Sequence, residues 1–277
     1  MTTKKARRKK NNGWRNASNS DHHELYELSV QDADSECAII DQVWNERRQR
    51  TATSIREDFC GTALTASAWV KLRKNNTATC VDNDAGVLNW AENRVKERLD
   101  ESEAERISFV KADVITANTE LVESVLAMNF SYYLFKKRSQ LVEYFQSVHK
   151  ALTDDGLFLL DAYGGSDSFL EMEEDRDLDG FTYIWDQHSY SPVTGNVTNH
   201  IHFVFPDGSR LDKAFTYNWR LWTLPEIQEL LLEAGFSNVV VYWEGSDDDE
   251  EEGNGEWAIT TDGEACEGWI AYLVAEK

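Results

Sequence analysis

Ser54-Ile55-Arg56-Glu57-Asp58-Phe59-Cys60-Gly61-Thr62-Ala63 is a short apolar entry that runs into a turn of small residues. Beyond it, Ala63, Leu64, Ala66, Ala68, Trp69, Val70 and Leu72 recur at helical spacing. Strand, tight turn and helix in that order make the first βα corner of a doubly wound domain. In such corners the turn backbone and the helix N-terminus cradle a cofactor. Thr62 is the candidate N-cap. The glycine set is incomplete, and small-residue turns occur between strands and helices throughout α/β proteins. The rest of the chain therefore has to decide.

Downstream, Thr77–Asp82 is a β-prone segment ending in an acid, followed by an amphipathic helix through Val87, Leu88, Trp90, Ala91, Val95 and Leu99. Asp82 lies 21 residues beyond Gly61, near where a doubly wound fold places the acid that accepts from a ribose. The alternative for Asp82 is a helix cap, and Asp84 is the better cap. Ile107–Asp113 is a third strand ending in an acid, and Val125–Met128 a fourth that closes on Asn129-Phe130-Ser131-Tyr132-Tyr133. A helix from Phe135 to Leu152 and the turn Asp155-Gly156 lead to a fifth strand, Leu157–Asp161. Its near-continuous apolar run suits a strand covered on both faces.

The pattern then changes. Residues 181–222 hold ten aromatics, with alternation in Phe181–Trp185 and His200–Phe205 and turn signals between. They predict two or three antiparallel strands, an insertion spanning 178–222. A helix, Leu224–Ala234, ends at Gly235, and Val239–Trp243 and Trp269–Ala275 are the last strands. Between them, 245–257 reads as a solvated acidic loop without the alternation of a calcium loop. The whole is a doubly wound, mostly parallel seven-stranded α/β sheet with an antiparallel β lid, one domain over 21–277. Ahead of the first strand, Leu25, Leu28 and Val30 mark a helix that carries Tyr26. Such a helix can fold over a cofactor cleft, so Tyr26 is a candidate cleft residue, with core packing the alternative.

Charge is distributed unevenly. Seven of the 28 Lys and Arg lie in residues 1–20, where there is no acid, so the remaining chain sets 21 basic against 50 acidic residues. Residues 1–20 read as a disordered basic tail, with a nucleic-acid or nuclear-targeting patch the alternative. So acidic a body disfavours nucleic acid as a partner and suits a salt-rich cytoplasm. No apolar run is long enough to cross a membrane as a helix, and no secretory segment opens the chain. Cys37, Cys60, Cys80 and Cys266 are scattered without CxxC spacing and read as reduced cytoplasmic thiols. Nothing in the sequence sets an oligomeric state.

With Glu57 to Ala63, Asp82, Asp113, Asn129 and Asp155-Gly156 carrying it, the pattern over roughly residues 50–277 resembles the class I S-adenosylmethionine-dependent methyltransferases. The wording Arg-Glu-Asp-Phe-Cys-Gly-Thr-Ala, Asn-Phe-Ser-Tyr and Tyr-Asn-Trp-Arg-Leu-Trp-Thr-Leu-Pro-Glu looks like one bacterial-type subgroup of that family. The resemblance implies S-adenosylmethionine as cofactor. It implies Glu57, or its neighbour Asp58, at the methionyl amino group, and Cys60, Gly61 and Thr62 in the turn beneath. Asp82, with Asn83 after it, would hold the ribose. Asp113 and Val114 would meet the adenine, and Asn129 and Phe130 would lie where the methyl faces the acceptor. The family's first and third glycines are Phe59 and Ala63 here, which implies a less permissive backbone path at Phe59.

Methyl transfer needs alignment, desolvation and at most a proton acceptor, so no triad or metal is required. Asn129, Tyr132 and His202 are the candidate catalytic residues, in a pocket with Tyr133, Tyr163, Trp185, His188, His200, Arg220 and Trp222. His200 and His202 share a strand face, with His188 the candidate third member, but no metal site is expected, because neither a Cys nor a clear carboxylate completes one. The favoured reading is transfer of a methyl group to a small-molecule acceptor, with an amine suited to cation–π contacts. A protein or RNA methyltransferase, a non-catalytic protein of the same fold and, more weakly, a nicotinamide dehydrogenase are the alternatives.

Overall fold

The computed structural model describes residues 14–246 and 253–277. In chain order it contains α1 (His22–Val30), α2 (Ala33–Arg48), β1 (Ser54–Asp58), α3 (Leu64–Leu72), β2 (Thr77–Asp82), α4 (Ala85–Arg98), α5 (Glu101–Ala104) and β3 (Ile107–Lys111). There follow β4 (Val122–Ala127), α6 (Arg138–Ala151), β5 (Leu152–Gly164), β6 (Met172–Leu178), β7 (Phe181–Tyr190), β8 (Asn196–Val204) and β9 (Arg210–Arg220). Last come α7 (Leu224–Ala234), β10 (Asn238–Ser246), β11 (Gly253–Thr260) and β12 (Trp269–Glu276). The chain forms two compact units, one running to Val30 and resuming over Leu170–Trp219, the other made of Gln31–Phe169 and Arg220–Lys277.

The second unit is built on an eight-stranded sheet in the order β11-β10-β12-β5-β4-β1-β2-β3. β1 pairs in parallel with both β2 and β4, β2 with β3, and β4 with β5. β12 runs antiparallel between β5 and β10. The chain leaves β1 toward β2 on one side and returns to β4 on the other. Strand order reverses there, and α/β sheets hold ligands at such a reversal, outside the carboxyl ends of the strands. Leu157 to Leu160 on β5 are fully buried, as their unbroken apolar run requires. Trp44 of α2 fills the core beside β4 and donates its Nε1–H to Ser124 Oγ at 2.6 Å. α7 starts at a capping box of Thr223 and Glu226 and stops at Gly235.

The sheet has eight strands, one more than the seven expected. The eighth is β11, cut from the stretch read as an acidic loop; residues 247–252 of that loop lie outside the described residues. β11 pairs antiparallel with the end strand β10, and Trp257 packs edge-on against Tyr272 with ring centres 4.5 Å apart. A polar edge strand needs only one such apolar anchor, so its composition hides it.

The first unit is an antiparallel meander, β6-β7-β8-β9, with α1. Its fourth strand, β6, is Met-Glu-Glu-Asp-Arg-Asp-Leu, a mostly exposed and charged edge that sequence patterning passes over. Leu25 of α1 packs with Phe181, Ile201, Phe203 and Phe205. Alternation sends Asp186, His200 and His202 to the opposite face, since Asp186 pairs with His200, and Trp185 with Ile201. Of the expected basic tail, residues 1–13 lie outside the described residues, but 14–20 are ordered. Arg15 lies over the Trp14 ring at 4.3 Å and pairs with Glu24 at 2.9 Å.

Candidate active site

Three residues of the turn after β1 have left-handed backbone: Phe59 (φ 56°), Gly61 (φ 50°) and Ala63 (φ 54°). The path is therefore the glycine-type one, taken without glycine at two of three positions, against the less permissive path expected at Phe59. Each non-glycine position costs roughly 1–2 kcal/mol. At Phe59 the ring contributes in return, packing on Phe135 and Tyr144 with centres 6.0 and 5.5 Å away. Asp82 pins the turn from β2, accepting from Gly61 N–H at 3.1 Å through one oxygen and from Asp84 N–H at 2.9 Å through the other. Asp84 caps α4.

Thr62 is not the N-cap of α3. That position falls to Ala63, and the Thr62 hydroxyl instead donates to Gln31 Oε1 at 2.9 Å. The missing cap is supplied from β1, where Glu57 Oε2 accepts the Ala66 N–H at 3.1 Å. Period two along β1 separates Glu57 from Asp58. Asp58 shares a face with Arg56 and is sealed in: Arg56 Nε donates to Oδ1 at 2.6 Å and the Tyr144 hydroxyl to Oδ2 at 3.0 Å. Burial, only partly offset by Arg56, raises its pKa to about 6. Both oxygens are engaged, so Asp58 is a strut of the core rather than a cofactor contact.

Glu57 is one of three buried acids around this turn. Burial, then the nearby Glu36 charge, lifts its pKa well above the ordinary value. Glu36 on α2 is a residue sequence reasoning missed. Its Oε2 accepts a short hydrogen bond from Thr65, its carboxyl bonds to the Asn129 side chain, and burial raises it to about 7. Asp161 on β5, also missed, accepts the N–H groups of Asn129 and Phe130 at 2.7 and 2.8 Å and is likewise raised by burial to about 7. Those bonds hold Asn129 and Phe130 in left-handed backbone, both with φ 56°. Among the described residues none of the three carboxylates has an ion-pair partner. The signal for Glu36 was present, since it lies on the stripe with Ile40 and Val43 that α2 buries.

The other candidates are placed as follows. Cys60 is buried with its thiol against Cys80, so only its backbone faces the turn. Asn83 is exposed just beyond Asp82, and Asp113 is exposed with Oδ1 on the Ile115 N–H at 2.9 Å. Val114 is buried, its carbonyl taking Arg56 and Ser147. Tyr132 is not available to a substrate: it is fully buried and its hydroxyl donates to Asp161 O at 2.7 Å. Tyr26 and His202 belong to the other unit, apart from the carboxylates in the chain's division. Tyr26 packs on Phe215 with centres 4.9 Å apart and bonds to Tyr217, its core-packing alternative. His202 lies between Asp186 and Asp212. The histidines do have a carboxylate beside them, contrary to the sequence expectation: Asp186, across the ladder from His200.

No family model matches the chain, and no curated protein matches it in sequence. Solved structures match in fold. An S-adenosylmethionine-dependent methyltransferase from Clostridium acetobutylicum is 18% identical, with TM-score 0.66 over 91% of this chain and 96% of that one. The amino pentose methyltransferase CalS10 from Micromonospora echinaspora, solved with S-adenosylmethionine bound, is 12% identical, with TM-score 0.66 over 92% and 95%. The sugar N-methyltransferase KedS8 from Streptoalloteichus is 15% identical, with TM-score 0.63 over 93% of each. The chain has the Rossmann-like fold of the class I S-adenosylmethionine-dependent methyltransferases.

Proposed function

We propose that the protein is an S-adenosylmethionine-dependent methyltransferase acting on a small molecule, with an amine as the acceptor group. The observation that carries this reading is the set of buried acids without a base at the reversal point of the sheet. Burying carboxylates among neutral donors is unfavourable until a cation joins them. A ligand carrying an ammonium and a sulfonium is such a cation, and a dinucleotide with its anionic pyrophosphate is not. The residues present fit the cofactor on that test.

In this reading Glu57 offers the methionyl ammonium the oxygen that Ala66 leaves free. Asp82 keeps lone pairs for the ribose hydroxyls while it holds Gly61 and the start of α4. Asp113 and Val114 lie at the adenine end. Bound there, the cofactor supplies an electrophilic methyl group on sulfur, and the protein supplies placement and a dry setting. Asp161 fixes the backbone at Asn129 and Phe130, and the Asn129 side chain joins that segment to Glu36. The amine is supported by two fold neighbours, CalS10, an amino pentose methyltransferase, and KedS8, a sugar N-methyltransferase.

Calorimetric titration with S-adenosylhomocysteine and, separately, NAD tests the cofactor. The expected result is binding of the first, none of the second, and at least tenfold weaker binding by Asp82→Ala. Folded protein that ignores S-adenosylhomocysteine overturns the reading. A methyl-transfer screen of amines, hydroxyls and thiols then tests the acceptor, with turnover confined to amines the expected outcome.

A further inference from the structure

The face of the four-stranded sheet opposite α1 carries a cluster that the proposed function does not use. We propose that Asp186, His188 and His200 bind a divalent transition-metal ion of the zinc class. Asp186 Oδ, a His188 ring nitrogen and a His200 ring nitrogen all lie within 4.8 Å of one another. The ladder explains the meeting. Asp186 of β7 is directly opposite His200 of β8, and the register slips between Gln187 and Ser189. A slip of this kind is a bulge, which re-aims the extra residue, here His188. His188 Nδ1 is 3.7 Å from Asp186 Oδ2.

His200 gives the independent sign of a missing ligand. The residue is 4% exposed, and its buried Nε2 has no hydrogen-bond partner. Leaving such an atom unmatched is unfavourable, so a buried orphan calls for a partner. Its other nitrogen, Nδ1, is 3.0 Å from Thr216 Oγ1. With Nδ1–H donating to Thr216, Nε2 presents a lone pair into the cluster, the form a metal takes.

His202 sets the carboxylate. A backbone N–H can only donate, and the Lys213 N–H donates to His202 Nδ1 at 3.1 Å. With Nδ1 accepting from Lys213, a proton on Nε2 lies 3.4 Å from Asp186 Oδ2, while Asp212 Oδ1 lies 3.3 Å from Nδ1 on the far side of the ring. His202 is therefore a positioning residue that orients Asp186 rather than a ligand. Two imidazoles and one carboxylate make a borderline donor set, suited to zinc and its neighbours and unsuited to calcium or magnesium. Three protein ligands leave one tetrahedral position open. Zinc bonds of about 2.1 Å need donors about 3.4 Å apart, so the cluster must tighten. His188 is the ligand free to do so, its side chain being 55% exposed.

The test uses the full chain, stripped with a chelator and titrated with cobalt(II), then with zinc(II) in competition. The expected result is one visible cobalt d–d band per chain, saturating at one equivalent and displaced by zinc. In His188→Ala and Asp186→Asn the affinity falls at least tenfold. His188→Ala changes an exposed side chain, and equal melting of the metal-free variant and parent establishes that it folds. No cobalt band in the parent overturns the proposal. So does zinc affinity equal in the parent and in folded His188→Ala. None of these readings depends on binding of S-adenosylhomocysteine, so this site and the proposed function stand or fall separately.

Discussion

At the end of β1, Glu57, Glu36 and Asp161 are buried among backbone N–H groups and a threonine hydroxyl. On β7, Asp186 is half-buried beside imidazoles, two of them nearly closed to solvent. Both regions remove carboxylates from water, and they balance the charge differently. Neutral donors hold a carboxylate in place without matching its charge, so protons return and the pKa values climb. Imidazoles present nitrogen lone pairs beside the acid, which a metal ion can share. The first region suits an organic cation arriving from outside, the second a small borderline metal ion.

The parallel-sheet region contains its own control. Asp58 is as deeply buried as Glu57, yet it has a base, Arg56, which is itself 0% exposed. Arg56→Leu leaves that acid alone in the core and is expected to cost roughly 3–5 kcal/mol in urea unfolding at neutral pH. At pH 5, below the Asp58 value of about 6, the loss shrinks because the acid protonates. A cost under about 1 kcal/mol would show that buried acids here need no base, and the contrast with Glu57 would collapse.

Glu36 is the reverse case. Its folded pKa of about 7 lies above the ordinary 4.5, so folding favours the protonated form. Stability from this group is fully present below pH 4.5 and is lost as pH rises through about 7; Asp161 behaves likewise from 3.8. The ligand-free protein should therefore weaken between pH 4.5 and 7.5, and Glu36→Gln should flatten part of that slope. At pH 8 the variant is expected to be more stable by on the order of 1–3 kcal/mol. Affinity for S-adenosylhomocysteine runs the other way. It should fall as pH drops from 8 to 5, because its ammonium loses charged partners, with proton release on binding seen in buffers of different ionisation enthalpy. A variant that loses stability at pH 8 and keeps full affinity would mean that the carboxylates are structural.

What was legible follows from which signals are local. The βα corner, the strand ending at Asp82, the Asp84 cap and the stop at Gly235 each rest on a few adjacent residues, and sequence reads those directly. Arg56 and Asp58 sharing one strand face was also readable from period two, and it separates Glu57 from Asp58. Glu36 looked like any helix acid until its neighbours Ile40 and Val43 were known to face inward. β6 and β11 are polar edges, where pattern and pairing part company. Asp186 could not be joined to the histidines from alternation, because which residue lies opposite His200 is set by the pairing of the two strands.

Backbone strain is a final point of contact between the two regions. Ala63 (φ 54°) sits in the turn after β1, and Lys213 (φ 50°) presents the N–H that meets the His202 ring. Both are left-handed without being glycine. Ala63 is fully buried among core residues, so Ala63→Gly removes strain and gives up one buried methyl group. The glycine's added freedom in the unfolded chain offsets part of that, leaving a gain of up to about 1 kcal/mol. Lys213→Gly should gain by a similar amount, because the N–H that it contributes is backbone and survives the change. Phe59→Gly should instead lose stability, since its ring packs on Phe135 and Tyr144. If Ala63→Gly gains and S-adenosylhomocysteine affinity is unchanged, the strain is incidental to the turn. If affinity falls with the gain, the left-handed alanine is holding the turn in the shape the ligand needs, and strain there is part of the site.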